Sequence, residues 1–149
     1  ATIANRDYFI TPHVVKEIED EALDSLYTTK HYTKVSEKHY ETVVQGMRAA
    51  VTGGTCRAAN LPGLDVCGKT GTAQNKGKDH SAFMGFAPMN NPKIAVAVYV
   101  ENGGWGATYG VPIGALIMEK YLNGTLSPQS EMKASDIQMR RIDYGVHER

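Results

Sequence analysis

Two glycines inside the stretch Val66-Cys67-Gly68-Lys69-Thr70-Gly71-Thr72-Ala73 constrain this chain more than any other feature. The stretch reads as a β-strand. Glycine weakens a strand interior and is accepted there mainly where another backbone or a ligand comes close, so the strand is predicted to border a site. Period-two alternation puts Cys67, Lys69, Gly71 and Ala73 on one face and Gly68, Thr70 and Thr72 on the other. A cation and two hydroxyls are thereby set on or beside one sheet edge.

The same residues satisfy two incompatible motifs. Gly63-Leu64-Asp65-Val66-Cys67-Gly68-Lys69-Thr70 fits the phosphate-loop pattern of glycine, four residues and Gly-Lys-Thr. That motif wraps a polyphosphate with successive backbone N–H groups and a helix N-terminus, so it needs a strand before it and a helix directly after. Cys56 to Pro62 is a poor strand, and Gly71 to Gly77 is a poor helix. Leu64 to Cys67 is apolar and β-prone where a phosphate cradle needs a turn. Ile94 to Val100 followed by Glu101 has the look of an acidic nucleotidase strand, but it follows Lys69 too closely for the required helix to fit between.

The second reading takes Lys69-Thr70-Gly71-Thr72 as a lysine-hydroxyl-glycine strand of the kind that serves serine acyl transfer. After it come a polar turn, the strand Ser81 to Ala87, the turn Pro88 to Lys93 and the strand Ile94 to Val100. A glycine-rich loop, Gly103-Gly104-Trp105-Gly106, then leads into a helix. Short polar connections between the strands imply an antiparallel meander. In this setting the chain resembles the transpeptidase domain of the class B penicillin-binding proteins, nearest to their elongation-specific penicillin-binding protein 2 group. The matching stretches are Ala1 to Arg6, Ile10 to Val15, Gly46 to Val51, Gly68 to Gln74, and Phe86-Ala87-Pro88 through Gly104. The resemblance implies an α+β fold, the C-terminal portion of a transpeptidase of the penicillin-binding-protein and β-lactamase kind, with a three-stranded antiparallel meander packed with helices.

That resemblance also implies roles. In the family a serine attacks the penultimate D-alanine carbonyl of a stem peptide, D-alanine leaves, and an amine of a neighbouring strand resolves the acyl-enzyme into a cross-link. Lys69 would place positive charge near the nucleophile and its base and attract the substrate's terminal carboxylate. The Thr70 and Thr72 hydroxyls would bind that carboxylate, or the β-lactam carboxylate that mimics it. The Thr72 N–H would be an oxyanion-hole donor, with Lys69 and Thr72 the catalytic pair. Gly71 would let the acyl group lie against the strand, whose edge pairs with the peptide by β-addition. No cofactor and no metal are implied. The family's enzymes act at the periplasmic face of the bacterial inner membrane, held by an N-terminal helix that this sequence does not contain.

The chain also departs from the pattern. The family's nucleophile sits in a Ser-x-x-Lys turn and its second motif is Ser-x-Asn, both upstream of the lysine strand, and neither is found there. The sole Ser-x-x-Lys, Ser130-Glu131-Met132-Lys133, lies in a polar tail and reads as coincidence. The chain opens at Ala1 in what reads as the end of a helix. The expectation is a C-terminal transpeptidase fragment over residues 1–124 followed by a polar tail over 125–149, inactive alone for want of its serine.

The remaining features narrow the field. With 149 residues, 42% hydrophobic, and 16 acidic against 16 basic side chains, the chain suits one domain or part of one. Zero net charge leaves no electrostatic footprint for nucleic acid or an anionic membrane surface. No apolar run reaches the roughly 20 residues that span a bilayer. Cys56 and Cys67 lack the spacing of a zinc site and read as two free, buried thiols.

Ser36 reads as an N-cap and Val35 with Tyr40 as a hydrophobic staple, opening a helix whose inward stripe is Tyr40, Val43, Val44, Met47 and Val51 and which ends at Gly53-Gly54. Residues 7–19 read as short extended segments broken at Pro12, and 20–34 as a loop or irregular hairpin. The closing helix is expected from Val111 to Asn123, with Ile113, Leu116, Ile117 and Tyr121 facing inward. Residues 125–149 are expected to be disordered or to pack as one short helix. Ile94 to Val100 is apolar throughout and is expected to be covered on both faces; a fragment with an uncovered face and an open edge should self-associate. His80 reads as a solvated turn residue, and Trp105 as a cleft wall or a cap on the core.

Three functions stay open on the sequence. They are a transpeptidase segment that meets peptidoglycan stem peptides and β-lactams through the whole enzyme, a nucleotide-binding module using Gly63 to Thr70, and a non-catalytic interaction domain.

Overall fold

The computed structural model describes residues 1–142, which divide into two compact units, Ala1–Val44 and the residues from Gln45 onward. In the first unit, the single-turn helix α1 (Thr2–Asn5) closes on Arg6 in the left-handed region, φ 65°. The Arg6 Nε donates to Glu41 Oε1 at 2.7 Å and its Nη1 to the Ala4 carbonyl at 2.9 Å. Strand β1 (Tyr8–Ile10) pairs antiparallel with β2 (Lys30–Tyr32) in the register Tyr8 to Tyr32, Phe9 to His31 and Ile10 to Lys30. Cross-strand ring contacts explain the pairing: Tyr8 meets Tyr32 at 5.9 Å, and Phe9 stacks on His31 at 5.1 Å.

Two loosely expected regions take definite form. In 7–19 the one strand among the described residues is Tyr8–Ile10, which ends before Pro12 and its missing N–H, and beyond it Ile18 forms only an isolated bridge with Glu21. The stretch 20–34 is irregular up to β2 and carries a 3-10 turn at Ser25–Tyr27, capped by the Asp24 side chain accepting from the Leu26 N–H at 2.8 Å.

Helix α2 (Glu37–Thr52) has its inward stripe on Tyr40, Val44, Met47 and Val51, all buried. Val43, expected on that stripe, is 47% exposed, because the stripe follows the spacing i, i+4, i+7, i+11 and leaves it on the flank. Val35, the residue before the expected cap, is equally exposed. The Ser36 hydroxyl lies 2.7 Å from His39 Nδ1.

In the second unit, β3 (Cys67–Ala73), β4 (His80–Ala87) and β5 (Ile94–Val100) form an antiparallel meander in the order β3-β4-β5. The register sets Thr70 opposite Phe83 and Gly71 opposite Ala82, and Phe83 in turn opposite Val98. Helix α3 (Gly110–Asn123) covers one face, where Phe83, Val96 and Val98 join Val51, Val66, Val111, Ala115 and Met118 in the core.

The Phe83 ring organises this core. A Cβ on Gly68 would fall 2.5 Å from Phe83 Cε2, one on Gly85 2.6 Å from Cζ, and one on Gly114 would collide with Cδ1. Three glycines therefore hollow the slot that lets the ring lie flat between sheet and helix. Burying such a side chain stabilises the fold by about 1.5–3 kcal/mol.

The slot also explains why α3 is turned from its expected orientation. Gly110, Val111, Gly114, Ala115 and Met118 face inward, while Ile117 is 44% and Tyr121 64% exposed, and Ile113 and Leu116 are half-buried. Small residues, not the bulkiest ones, have to meet the raised aromatic.

One further expectation is revised and one alternative is met. On β5 only Ile94, Val96 and Val98 approach the core; Ala95, Ala97 and Tyr99 are exposed, as are Met84 and Lys69 on the same sheet face. Of the two alternatives expected past residue 124, the described residues take the short helix: α4 (Pro128–Met139) is opened by Ser127, whose hydroxyl accepts from the Ser130 N–H. Pro128 at its first turn fits the fixed φ a helix start needs. Ser130 is buried and set against Glu119 on α3 rather than offered to solvent. Residues 143–149 of the expected tail lie outside the described residues.

Candidate functional site

Strand β3 is an edge strand: one side is laddered to β4, and no other strand among the described residues pairs with the opposite side. Gly63 to Thr70 is accordingly no phosphate loop. Cys67 to Thr70 are strand residues, and β3 runs on into the turn to β4, without the helix a phosphate cradle requires. The two motif glycines also part company. Gly68 makes room for the Phe83 ring, while a Cβ on Gly71 would meet only Ala82, its Cβ at 3.2 Å and its carbonyl oxygen at 4.0 Å.

The free edge can be read residue by residue. The Thr70 backbone hydrogen-bonds Cys56, and its carbonyl accepts from Lys69 Nζ at 2.8 Å. Cys56 lies outside the sheet and the Lys69 ammonium is a side-chain donor rather than a rung of the β3–β4 ladder, so the Thr70 peptide groups point off the open edge. In a strand the N–H and C=O of one residue share a direction with those two residues on, so Thr72 presents its own pair on the same edge. Lys69 is exposed on the opposite sheet face from the two hydroxyls, as the alternation predicts, and its long stem curls its ammonium back to the edge.

Opposite the hydroxyls stands the glycine-rich loop. Thr55, Thr70, Thr72, Trp105, Gly106 and Ala107 line a cleft of ≈ 340 Å³. Gly106 has to be glycine: a Cβ there would lie 2.5 Å from the Ala82 carbonyl oxygen and 2.6 Å from that of Gly71. The buried Ser81 hydroxyl pins the loop, donating to the Trp105 carbonyl at 2.8 Å and accepting from the Gly110 N–H at 3.0 Å. Trp105 is 75% exposed, so it walls the cleft and does not cap the core. His80 opens β4 rather than sitting in a turn; its Nδ1 accepts from the Asn102 N–H at 3.0 Å, and its ring meets Tyr99 at 5.3 Å.

Two residues that the sequence did not single out complete the site. Thr55 Oγ1 lies 2.9 Å from Thr70 Oγ1. Cys56 is wholly buried directly beneath, and burial pushes its thiol above the usual range against the opposing pull of the Thr55 hydroxyl, the Thr70 backbone and the Lys69 charge. Gly53-Gly54 marked a helix end in the sequence, but nothing there marked the strand that the next two residues meet. Neither Cys56 nor Cys67 forms a disulfide, and both are buried. Among the described residues no group of three or more His, Cys, Asp or Glu side chains is placed to hold a metal, and no helix is long and apolar enough to cross a membrane.

An edge strand bearing a lysine and two hydroxyls, facing a glycine-rich loop and backed by a closing helix, defines a class, and comparison with known proteins bears it out. Residues 1–122 match the penicillin-binding protein transpeptidase domain, and the chain belongs to that family. Among its relatives, the peptidoglycan D,D-transpeptidase MrdA of Haemophilus influenzae is 32% identical over 93% of this chain and 25% of its own length. The peptidoglycan D,D-transpeptidase PbpA of Mycobacterium tuberculosis is 33% identical over 83% of this chain and 28% of its own. The structure of Pseudomonas aeruginosa PBP2 superimposes with a TM-score of 0.68 and 35% identity, covering 86% of this chain and 29% of that one. An imipenem acyl-enzyme complex of penicillin-binding protein A from M. tuberculosis matches with a TM-score of 0.64 and 31% identity, over 81% of this chain and 28% of that one. The chain thus spans about a quarter of the length of these relatives.

Proposed function

We propose that this chain is the C-terminal, substrate-holding part of the transpeptidase domain of a peptidoglycan D,D-transpeptidase, and that β3 is the strand against which the stem peptide is laid. The observation that carries the reading is the open edge of β3, where Lys69, Thr70 and Thr72 converge beside the Trp105 cleft in a chain of this family.

Each role derives from that edge. A serine outside this chain attacks the penultimate D-alanine carbonyl carbon; the new C–O bond forms, the C–N bond breaks, and the released amine of D-alanine takes up a proton. Lys69 supplies the positive charge that eases this proton transfer and draws in the terminal carboxylate. The Thr70 and Thr72 hydroxyls donate to the carboxylate. The Thr72 N–H donates to the oxyanion that forms at the attacked carbonyl, and Gly71 keeps the strand bare of a side chain where the acyl group lies. An incoming amine then displaces the serine and closes the cross-link, or a β-lactam occupies the serine instead. No step needs a metal or cofactor. The working enzyme acts at the periplasmic face of the inner membrane, anchored by an N-terminal helix, while residues 1–124 alone carry no nucleophile and self-associate through the open edge and the exposed sheet face.

Intact mass after incubation with benzylpenicillin tests the reading. The complete polypeptide is expected to gain one penicilloyl group and this chain alone none. An adduct on this chain would place a nucleophile among residues 1–149, and no adduct on the complete polypeptide would favour a non-catalytic interaction domain.

A further inference from the structure

Thr55 and Cys56 belong to no motif, yet they meet Thr70 from beyond the sheet. Thr55 Oγ1 is 2.9 Å from Thr70 Oγ1 and lines the same cleft as Thr70 and Thr72. Cys56 shares hydrogen bonds with the Thr55 side chain and the Thr70 backbone; as a neutral thiol it can donate its S–H to Thr55 Oγ1, which leaves the Thr55 proton for Thr70. The pair is rigidly held. The N–H groups of Gly54 and Cys56 both donate to the Ala50 carbonyl at the end of α2, at 3.1 and 2.9 Å. A Cβ on Gly54 would fall 2.8 Å from the Ala50 Cα, so the turn has no slack to move the dipeptide away.

The chemistry of two facing hydroxyls sets a direction. Each has one proton, so when one donates to the other, the acceptor keeps its own proton for a third group. A carboxylate only accepts. If Thr70 is to donate to a carboxylate in the cleft, Thr55 has to be the donor in the Thr55–Thr70 pair. A chain from Thr55 to Thr70 to the carboxylate is then aligned, and each bond polarises the next.

We propose that Thr55, backed by Cys56, is a positioning residue: it donates to Thr70 and turns the Thr70 hydroxyl toward the carboxylate end of the substrate or β-lactam. This rests on the reading of β3 as the substrate edge. Cys56 takes up the Thr70 backbone and leaves Thr72 as the next open donor on the edge, which fixes where along β3 the acyl carbonyl docks.

The test measures acylation by a fluorescent penicillin in the complete polypeptide, resolving the pre-acylation binding constant from the limiting rate. Thr55→Val keeps the shape and removes the proton. It is expected to weaken binding about three- to tenfold and to leave the limiting rate within about twofold, while Thr55→Ser stays within about twofold of wild type in both. The double variant Thr55→Val/Thr70→Val is expected to bind no worse than Thr70→Val alone. Where valine disturbs the turn, as read from the melting temperature, Thr55→Ala serves in its place. Wild-type binding in Thr55→Val, equal losses in the serine and valine variants, or losses that multiply in the double variant would each overturn the proposal. A wild-type polypeptide that takes no label would instead overturn the transpeptidase reading itself, and this inference with it.

Discussion

The two ends of strand β3 carry the same kinds of residue and serve opposite ends. At Cys67 and Gly68 the strand is buried, and glycine is there because an aromatic ring from the neighbouring strand lies where its side chain would be. At Gly71 and Thr72 the strand is open, its outer edge unpaired, and glycine there leaves only a 3.2 Å approach to an alanine. One glycine serves packing, and the other leaves a surface bare. A strand glycine thus signals close approach without saying what approaches, and only the partner tells core from site.

The largest effect that sharpens this contrast belongs to the buried end. Phe83→Ala should cost about 3–5 kcal/mol in unfolding free energy, because a filled slot becomes a cavity lined by three glycines that cannot fill it. Chemical denaturation would measure it, and a loss below about 1 kcal/mol would break the claim that the ring organises the core.

At the open end, Lys69→Met should leave stability within about 0.5 kcal/mol, the side chain being exposed. In the complete polypeptide the same change should slow penicillin acylation by about 10²-fold or more, the size typical of losing a preorganised electrostatic group.

The glycines themselves give the cleanest contrast. Gly68→Ala drives a methyl to 2.5 Å from Phe83 Cε2 and should cost about 1–3 kcal/mol. Gly71→Ala should cost less than that in stability and more in acylation rate. Thermal melts beside labelling rates would show it, and equal stability losses would erase the distinction.

The smallest effect is a pH dependence at α4. Burial alone would raise the Glu119 carboxyl, but hydrogen bonds from the Ser130 and Ser127 side chains and the Ser127 backbone, with the nearby Lys133 charge, bring it below its ordinary value of 4.5. A carboxyl lowered in the folded state contributes stability that is present above 4.5 and lost as pH falls through the lowered value. Melting curves between neutral and strongly acid pH should therefore show a steeper acid decline for the native protein than for Glu119→Gln.

Much of this architecture was legible in the sequence. The meander was marked by turn residues between apolar runs, and α2 by a stripe whose buried members, Tyr40, Val44, Met47 and Val51, recur at helical spacing. What stayed hidden depends on partners distant in the chain. The inward face of α3 could not be read from hydrophobicity, because Gly114 faces in to receive Phe83 while Ile117 and Tyr121 are left exposed. Helix α4 looked polar because its anchoring is polar, through Ser127, Ser130 and Glu119. At the site, the motif exposed Lys69, Thr70, Gly71 and Thr72, but Thr55 became visible only when folding brought its hydroxyl to Thr70.

The central claim is that the outer edge of β3 is where the acyl group is held, and a crystal structure of the complete polypeptide acylated by a penicillin tests it most directly. The acyl carbonyl oxygen is expected within about 2.7–3.1 Å of the Thr72 nitrogen, with the carboxylate on the Thr70 and Thr72 hydroxyls. An adduct seated away from β3, with Thr72 N–H unengaged, would contradict it.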